Sequence, residues 1–181
     1  MTMTVDELLA KQECTELVYR LARAIDRCNA GLIADCYHPD ATDDHGLIKG
    51  TIQQFITGVI PMLEGMKRTQ HNITNLLVEV RGDAARGEAY FIAQHTLAGE
   101  GGEVEMFAAG RYLDRFERRS GAWKIAHRHA VYDWTMTVPA SGAWDNFPPE
   151  MNFLRGQRGA GDPSYAHLAF EDGPASPPAT P

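Results

Sequence analysis

The chain has 181 residues, of which 44% are hydrophobic and 23% are charged. These are ordinary values for a globular protein, and the length suits one domain with one core, so wholly disordered and fibrous classes are excluded. Seventeen lysine and arginine residues against 24 aspartate and glutamate residues give a net charge of −7, which disfavours binding to nucleic acid or to an anionic membrane surface.

No feature of the sequence points to a membrane or to an oxidising compartment. The apolar runs fall short of the roughly 20 residues that cross a bilayer, and the N-terminal segment lacks the basic and apolar regions of a secretory signal. Cys14, Cys28 and Cys36 form no CxxC pair and suit reduced thiols in a protein core. We therefore expect a cytoplasmic protein.

The first third of the chain predicts helices. Over residues 5–29 apolar side chains recur at three- and four-residue spacing, which is typical of an amphipathic helix. A short helix over 32–37 is expected to end in a turn at the His-Pro-Asp sequence of 38–40, because proline disfavours helix at the residue before it. Residues 41–48 then predict a short strand, and residues 50–65 predict a third helix.

Beyond residue 67 the hydrophobic period changes to two and β-branched and aromatic residues dominate, which predicts strands. The separators between the strands are short and rich in glycine, as in antiparallel hairpins. Four strands are expected, over residues 69–81, 85–98, 103–118 and 122–138. Helices followed by a strand meander predict an α+β fold, with one curved sheet packed against the helices.

The composition changes at residue 139, and eight of the ten prolines lie in the last 43 residues. Proline neither continues a helix nor donates in a sheet, so we expect a domain over residues 1–138 and a C-terminal tail over 139–181. The first part of the tail is expected to pack on the body or on a neighbouring subunit, and the last ten or so residues to be disordered. The apolar residues that favour packing are Trp144, Phe147, Met151, Phe153 and Leu154.

Histidine is the residue type whose distribution needs an explanation, because six of its seven copies lie between positions 38 and 129. His71 opens the first long strand, where period two places it on one face with Ile73, Asn75 and Leu77. Two polar groups in an aliphatic row suit a cavity better than a core. His95 ends an apolar row on the next strand, and a hydrogen-bonded structural histidine is the alternative for both.

Two further candidates for the site involve carboxylates, namely Asp26 itself and His45, which follows two aspartates. Asp26 borders the apolar stripe of the first helix, on the face of Tyr19, and the alternative is an edge residue exposed to water. His45 follows Asp43 and Asp44 in the short strand. A neighbouring carboxylate raises the basicity of a histidine whether or not chemistry occurs there.

The last two strands carry further polar candidates. His127 and His129 alternate with the spacing of a strand-borne metal pair, but no carboxylate accompanies them in the sequence, so we expect no bound metal. Tyr112 shares a face with two small residues, which leave space over the sheet for a phenolic donor. Tyr132 ends the last strand, and a structural role is the alternative for both tyrosines.

Five pieces of the sequence occur in a recognisable order. They are Ala-Ile-Asp at 24–26, His-Pro-Asp-Ala at 38–41, Thr-Gln-His at 69–71, Gly-Arg-Tyr at 110–112 and Arg-Ser-Gly-Ala-Trp-Lys-Ile at 119–125. Over about residues 5–138 the chain resembles the SnoaL-like branch of the nuclear transport factor 2-like superfamily. The resemblance implies a cone-shaped α+β barrel, in which three N-terminal helices pack on a curved, mostly antiparallel sheet that encloses a pocket. Many enzymes of this group use no cofactor, and we expect none here.

Within this branch the chain is most similar to scytalone dehydratase, hexachlorocyclohexane dehydrochlorinase and bile-acid dehydratase, in which an aspartate on the first helix orients a histidine on the first long strand. Asp26 and His71 fall on those two positions, and His95 matches a second histidine of scytalone dehydratase. Other pocket donors differ, since His45 and Tyr112 stand where scytalone dehydratase has a tyrosine and an asparagine. The resemblance therefore does not imply that this chain acts on the same substrate as scytalone dehydratase.

The residues and the resemblance together predict a lyase that eliminates water from a small aromatic or polycyclic alcohol without a cofactor. His71 is the expected general base, assisted by Asp26, and His95 or His45 is the expected acid for the departing hydroxyl. On a phenolic substrate, loss of a benzylic hydroxyl gives a quinone methide, which can then lose a proton or a one-carbon fragment. The residues expected to bind the substrate are Tyr19, Asp44, Asn75, Tyr112, His129 and Tyr132.

Three alternatives stay open. A ketosteroid-type isomerase shares the fold but needs a carboxylate base on the strand where His71 stands. The small subunit of an aromatic-ring dioxygenase shares the fold as a non-catalytic scaffold, and the set of Asp26, His71 and His95 argues against it. The third alternative is a ligand-binding barrel without chemistry. Because members of this group are dimers or trimers, a homodimer or homotrimer is expected.

Overall fold

The computed structural model describes residues 3–140 and 147–169 of the chain. The helices are α1 (Val5–Asp26), α2 (Ala30–Cys36), α3 (Ile52–Glu64) and α4 (Pro163–Leu168). The strands are β1 (Tyr37–Asp44), β2 (Lys49–Thr51), β3 (Arg68–Arg81), β4 (Ala84–Gly99), β5 (Gly102–Arg119) and β6 (Ala122–Pro139). None of the helices described is long and apolar enough to cross a membrane. Helices followed by strands confirm the predicted α+β class.

The six strands form one curved, unclosed sheet in the order β2-β1-β6-β5-β4-β3. β1 runs parallel to β6, and the other neighbouring pairs are antiparallel, which confirms the mostly antiparallel sheet. The face of the sheet on which the helices pack is here called the inner face. Cross-strand register places on it His71 and Ile73 of β3, Phe91, Ala93 and His95 of β4, and Ala108, Gly110 and Tyr112 of β5.

Local hydrogen bonds determine where the helices begin. In α1 and α3, a threonine before the helix and a Glu or Gln three residues later bond each other's backbone N–H groups, which is a capping box. Asn29 caps α2, because its side chain accepts from the backbone N–H of Leu32 at 3.0 Å. α1 therefore ends at Asp26, before the predicted end at residue 29, and this last residue faces β3.

The turn predicted at residues 38–40 is wrong, because these residues belong to β1. Pairing with β6 is interrupted between Tyr37 and Thr42, so Pro39, which has no N–H, lies where no pair with β6 forms. The single strand predicted over 41–48 is also wrong, since a loop separates β1 from β2 within that segment.

A β-bulge in β3 corrects the face predicted for Asn75 and Leu77. The register with β4 shifts between Ile73 and Leu76, so beyond this point Val78, and not Leu77, lies on the inner face. Val78 is buried, whereas Asn75 is exposed and Leu77 is 68% exposed. Period-two reasoning fails past a bulge, because one extra residue exchanges the two faces of the strand.

Gly110 lies at a register shift between β5 and β6, and a Cβ atom there would clash with the backbone carbonyl of Val131. Because backbone cannot rotate away as a side chain can, we expect Gly110→Ala to lower the free energy of unfolding by about 1–3 kcal/mol. Gly101→Ala is the matched control, since a Cβ at Gly101 meets no atom within 4 Å. Urea unfolding of both variants makes the comparison. Equal unfolding midpoints would show that β5 and β6 move apart enough to accommodate the added methyl group.

The C-terminal segment returns to the body near the end of α1. Arg27 forms an ion pair with Asp162 at 3.2 Å, and Asn29 donates to the hydroxyl of Tyr165 at 3.0 Å. The tail residues that were expected to pack on the body or on a neighbouring subunit are exposed on the single chain where they are described, namely Phe147, Met151, Phe153 and Leu154, so their packing stays a prediction. Trp144 and the last ten residues lie outside the described residues, and the domain boundary at residue 138 stays a prediction.

Candidate functional site

Asp26 and His71 form a hydrogen-bonded pair where α1 ends against β3. The carboxylate Oδ1 accepts from Nδ1 of His71 at 2.7 Å and from the hydroxyl of Thr69 at 3.1 Å. Its Oδ2 accepts from the backbone N–H of His71 at 3.0 Å. Three donors therefore fix the carboxylate, and the carboxylate fixes the imidazole. Only 11% of the Asp26 side chain and 9% of the His71 side chain are exposed.

This pairing sets the tautomer of His71. An ionised carboxylate only accepts hydrogen bonds, so the proton of the neutral imidazole lies on Nδ1 and the lone pair lies on Nε2. Within the described part of the chain, nothing bonds Nε2. The arrangement is that of a general base oriented by a carboxylate.

A groove of about 260 Å³ opens beside the pair, between α1 and β3. Its lining residues are Tyr19, Ala22, Arg23, Asp26, Arg27, His71 and Ile73. Since an apolar cavity of about 150 Å³ holds benzene, the groove has room for one substituted aromatic ring. Three of the predicted site residues, Tyr19, Asp26 and His71, thus share one groove.

His95 lies beside His71, with the two ring centroids 5.5 Å apart. It is buried, and its Nδ1 bonds to no described residue. Burial, together with the neighbouring His71 ring, lowers the pKa of His95 to about 4. His95 is therefore neutral near neutral pH, and a neutral imidazole suits a hydrogen-bond partner for the substrate better than the acid role that was expected for it.

The low pKa of His95 makes the stability of the fold depend on pH. His95 takes up a proton near pH 6.5 in the unfolded chain but only near pH 4 in the folded chain. Protonation therefore does not favour unfolding above pH 6.5, and it lowers the free energy of unfolding progressively as the pH falls from 6.5 toward 4. Between pH 7.5 and pH 5 we expect His95 to cost the wild type about 2 kcal/mol of unfolding free energy. Urea unfolding at both values should show His95→Gln losing less than the wild type by this amount, and parallel losses would refute the low pKa.

His45 belongs to a second pair, which lies in the loop after β1. Its Nδ1 bonds Oδ1 of Asp43, and the hydroxyl of Tyr37 donates to Oδ2 of the same carboxylate at 2.6 Å. Asp43 and Tyr37 are each only 1% exposed, and the His45 ring stacks on Phe55 of α3 at 4.8 Å. The sequence predicted His45 as a site residue but missed Asp43 and Tyr37.

Three aromatic residues, Phe91, Tyr112 and Tyr132, form what is here called the aromatic wall. Phe91 and Tyr112 stack with centroids 4.2 Å apart, and Tyr132 meets Phe91 edge-on at 5.9 Å. The His45 ring lies 5.7 Å from Tyr112. Burial raises the pKa of Tyr112 and of Tyr132, so both phenols keep their protons and are available as donors.

Three residues predicted to bind substrate lie away from the inner face. Asp44 and His129 are register partners on β1 and β6, on the opposite side of the sheet from Asp43. Successive residues of a strand alternate between faces, so burial of Asp43 inside places Asp44 outside, where it binds Lys49 at 2.7 Å. His129 is exposed, and Asn75 is exposed at the β3 bulge.

No cluster suited to a metal is present among the described residues, since no three His, Cys, Asp or Glu side chains converge there. Of the two histidines with metal-like spacing, His127 bonds the hydroxyl of Thr42 through Nδ1 at 2.7 Å. His129 points to solvent on the exposed side of β6.

Arg158 brings the tail to this end of the inner face, and sequence reasoning missed it. Its guanidinium donates to the carbonyl oxygens of Leu63 and, at 2.9 Å, Met66. Besides burial and the His71 ring, its positive charge lowers the pKa of His95. No local signal marks a tail arginine for this role, because the contact depends on the chain folding back over α3.

The family model described as SnoaL-like domain matches residues 6–129. No curated protein matches the chain. Among solved structures, LinA is 25% identical and superimposes with a TM-score of 0.64, covering 76% of this chain and 94% of LinA. A scytalone dehydratase-like protein from Novosphingobium aromaticivorans is 15% identical with a TM-score of 0.64, covering 88% and 98% of the two chains. Rv3472 of Mycobacterium tuberculosis, of unknown function, is 26% identical with a TM-score of 0.60, covering 72% and 76%.

These likenesses agree with the architecture described above. The family match spans well over half of the chain and contains both carboxylate and histidine pairs. The solved structures share the fold of helices on a curved sheet, as the resemblance implied. The chain belongs to the SnoaL-like domain family, with the nuclear transport factor 2-like fold.

Proposed function

We propose that the protein is a lyase that eliminates water from a small aromatic alcohol by proton transfers through its own side chains. The observation that carries the proposal is the buried pair of Asp26 and His71 beside a groove with room for one aromatic ring. Nε2 of His71 accepts the proton, and Asp26 stabilises the imidazolium that results. Structural neighbours that are named a dehydrochlorinase and a scytalone dehydratase support elimination as the reaction class.

In the proposed step, His71 takes a proton from the carbon next to the one that bears the hydroxyl. The C–H electron pair forms the double bond, and the C–O bond breaks. His95, as a neutral imidazole, donates a hydrogen bond to the departing oxygen, as neutral imidazoles do to substrate oxygens elsewhere. The proton on His71 then passes to the hydroxide, so water leaves and His71 returns to its starting state.

A phenolic substrate opens a second course with the same residues. The phenolic proton and the benzylic hydroxyl leave together as water, which gives a quinone methide. His71 then takes a proton from the carbon next to the benzylic one or, where that carbon bears a hydroxymethyl group, from this group's hydroxyl, so that the C–C bond breaks and formaldehyde leaves. In both cases the electron pair restores the aromatic ring, and His71 passes its proton to the phenolate oxygen. The first course removes water alone, and the second removes water and formaldehyde. The mass of the product distinguishes them.

The test is to incubate purified, chelator-treated wild-type protein with benzylic alcohols of single-ring and lignin-dimer type, and to follow product absorbance and mass. We expect an alkene product that has lost water, with or without a one-carbon fragment. A β,γ-unsaturated ketone serves as the control for isomerase activity and is expected to stay unchanged. Isomerisation of that ketone without turnover of any alcohol would overturn the lyase proposal in favour of an isomerase.

We also propose that the protein self-associates as a dimer or trimer. On the outer side of the sheet, Ile92, Trp134 and Met136 are 38%, 48% and 47% exposed, an apolar surface of a kind that often marks a subunit contact. Light scattering after size-exclusion chromatography measures the mass, and a monomer at micromolar concentration would rule this out.

A further inference from the structure

Arg23 is a cation in the groove that has no part in the elimination step described above. It lies on α1 three residues before Asp26, and residues at this spacing are neighbours on one face of a helix. Arg23, Asp26 and His71 all line the groove of about 260 Å³. One small molecule in the groove can therefore contact both Arg23 and His71.

The tail holds the guanidinium of Arg23 without neutralising its charge. Nη2 donates to the hydroxyl of Ser164 at 3.2 Å, and the guanidinium carbon lies 4.4 Å from the centroid of the Tyr165 ring. A hydroxyl and an aromatic ring are uncharged partners. No carboxylate in the described part of the chain forms an ion pair with Arg23. Asp26 forms none because its oxygens accept from other donors, among them His71.

The neighbouring arginines differ from Arg23 in this respect. Arg20 pairs with Glu16 at 3.3 Å on the same helix. Arg27, which also lines the groove, pairs with Asp162 at 3.2 Å. Arg23 is thus a positive charge without an acidic partner, in a groove of a chain whose net charge is −7. A guanidinium that is fixed in position but not neutralised suits an anionic ligand.

We propose that Arg23 binds a carboxylate of the substrate. This inference rests on the proposed lyase function and narrows its substrate class to aromatic alcohols in which the carbon that loses the proton also bears a carboxylate, namely 3-hydroxy-3-arylpropanoates. A guanidinium binds a carboxylate through two parallel hydrogen bonds, which fix the carboxylate plane. Binding at Arg23 therefore orients the neighbouring C–H bond within the groove that His71 also lines.

A carboxylate at this position also fits the chemistry of the step. His71 takes the proton from the carbon between the carboxylate and the carbon that bears the hydroxyl. The C–H electron pair forms the double bond, and the C–O bond breaks. Negative charge that develops as the C–H bond breaks spreads onto the carboxylate, where Arg23 stabilises it. The departing hydroxide takes the proton from His71, so the products are a 3-arylpropenoate and water.

Equilibrium binding tests the inference independently of turnover. NMR titration near neutral pH measures the dissociation constants of 3-phenylpropanoate and of its amide, 3-phenylpropanamide, which have nearly the same shape and lack the hydroxyl. The wild type is expected to bind the carboxylate about tenfold more tightly, the effect of a hydrogen bond between charged groups. Arg23→Gln should bring the two constants to within about threefold. Arg20→Gln removes an exposed and already paired arginine from the same helix, and it should keep the preference.

Arg23→Lys guards against a folding artefact, because it keeps the positive charge even if Arg23→Gln is unstable. It should weaken binding of the carboxylate but not of the amide, since an ammonium lacks the planar fork of a guanidinium. A wild-type preference below threefold, or a preference that Arg23→Gln leaves unchanged, overturns the role of Arg23. Equal weakening of both ligands by both variants would show a packing role only and would also overturn it.

Turnover is measured separately with 3-hydroxy-3-phenylpropanoate and 3-hydroxy-3-phenylpropanamide. We expect kcat/KM to be about tenfold higher for the carboxylate, by the same hydrogen bond to Arg23. Equal values for the two alcohols would overturn the substrate class. Absence of turnover on every alcohol, with the binding preference present, would overturn the lyase function and leave the carboxylate site standing.

Discussion

Replacing Asp26 with asparagine is expected to lower kcat by about 10²- to 10⁴-fold, the range over which an oriented general base contributes. The amide keeps the shape of the side chain but has no charge to stabilise the imidazolium of His71. It also no longer requires the proton of His71 to lie on Nδ1. Thr69→Val removes only one of the three donors to the carboxylate, so its loss should be much smaller.

Steady-state product formation measures both variants, together with Asp35→Asn, which is exposed on α2, as the matched control. Thermal denaturation verifies that the folds are intact. An Asp26→Asn variant that keeps the wild-type kcat would mean that the carboxylate only anchors α1 to β3.

The largest loss of stability is expected from Asp114→Asn, at about 3–5 kcal/mol of unfolding free energy. Asp114 accepts two hydrogen bonds of 2.7 Å from Arg128, and both side chains are 1% exposed. Burial opposes the charge of Arg128, but Asp114 outweighs it and raises the pKa of the guanidinium. Because an arginine keeps its proton in proteins, Asp114→Asn leaves Arg128 charged in the core without its partner. It also lies over the Tyr112 ring at 4.1 Å, so the aromatic wall should loosen.

Asp133→Asn is the matched control for this variant, because Asp133 accepts from two nitrogens of Arg111 in a comparable geometry at the surface. Its loss should stay below about 1 kcal/mol. The double substitution Asp114→Leu with Arg128→Met should recover most of the stability, since it removes both charges of the buried pair. Urea unfolding compares the variants, and similar losses for Asp114→Asn and Asp133→Asn would contradict the explanation by burial.

Much of the fold followed from periodicity alone. The three-residue and four-residue spacing of apolar side chains located α1 and α3, and the change to period two located β3 to β6. The errors arose where tertiary pairing overrides local rules. Pro39 predicted a turn, but a gap in the pairing with β6 accommodates it within β1. The bulge between Ile73 and Leu76 has no sequence signal that period-two reasoning detects.

Some residues of the candidate site could likewise be predicted from the sequence, and others could not. The pairing of Asp26 with His71 followed from the resemblance, and the structure places the two side chains in contact. Asp43 could have been found, because period two puts it on the same face as His45 and opposite to Asp44. Arg158 could not, since only the folded tail brings it near the inner face.

The most direct test of the central claim is the rate at which His71→Gln forms product, relative to the wild type, from a benzylic alcohol that the wild type converts. We expect a loss of at least about 10²-fold. His127→Gln, whose ring bonds Thr42 away from the inner face, should keep the wild-type rate. Equal rates for the wild type and His71→Gln would contradict the assignment of His71 as the base.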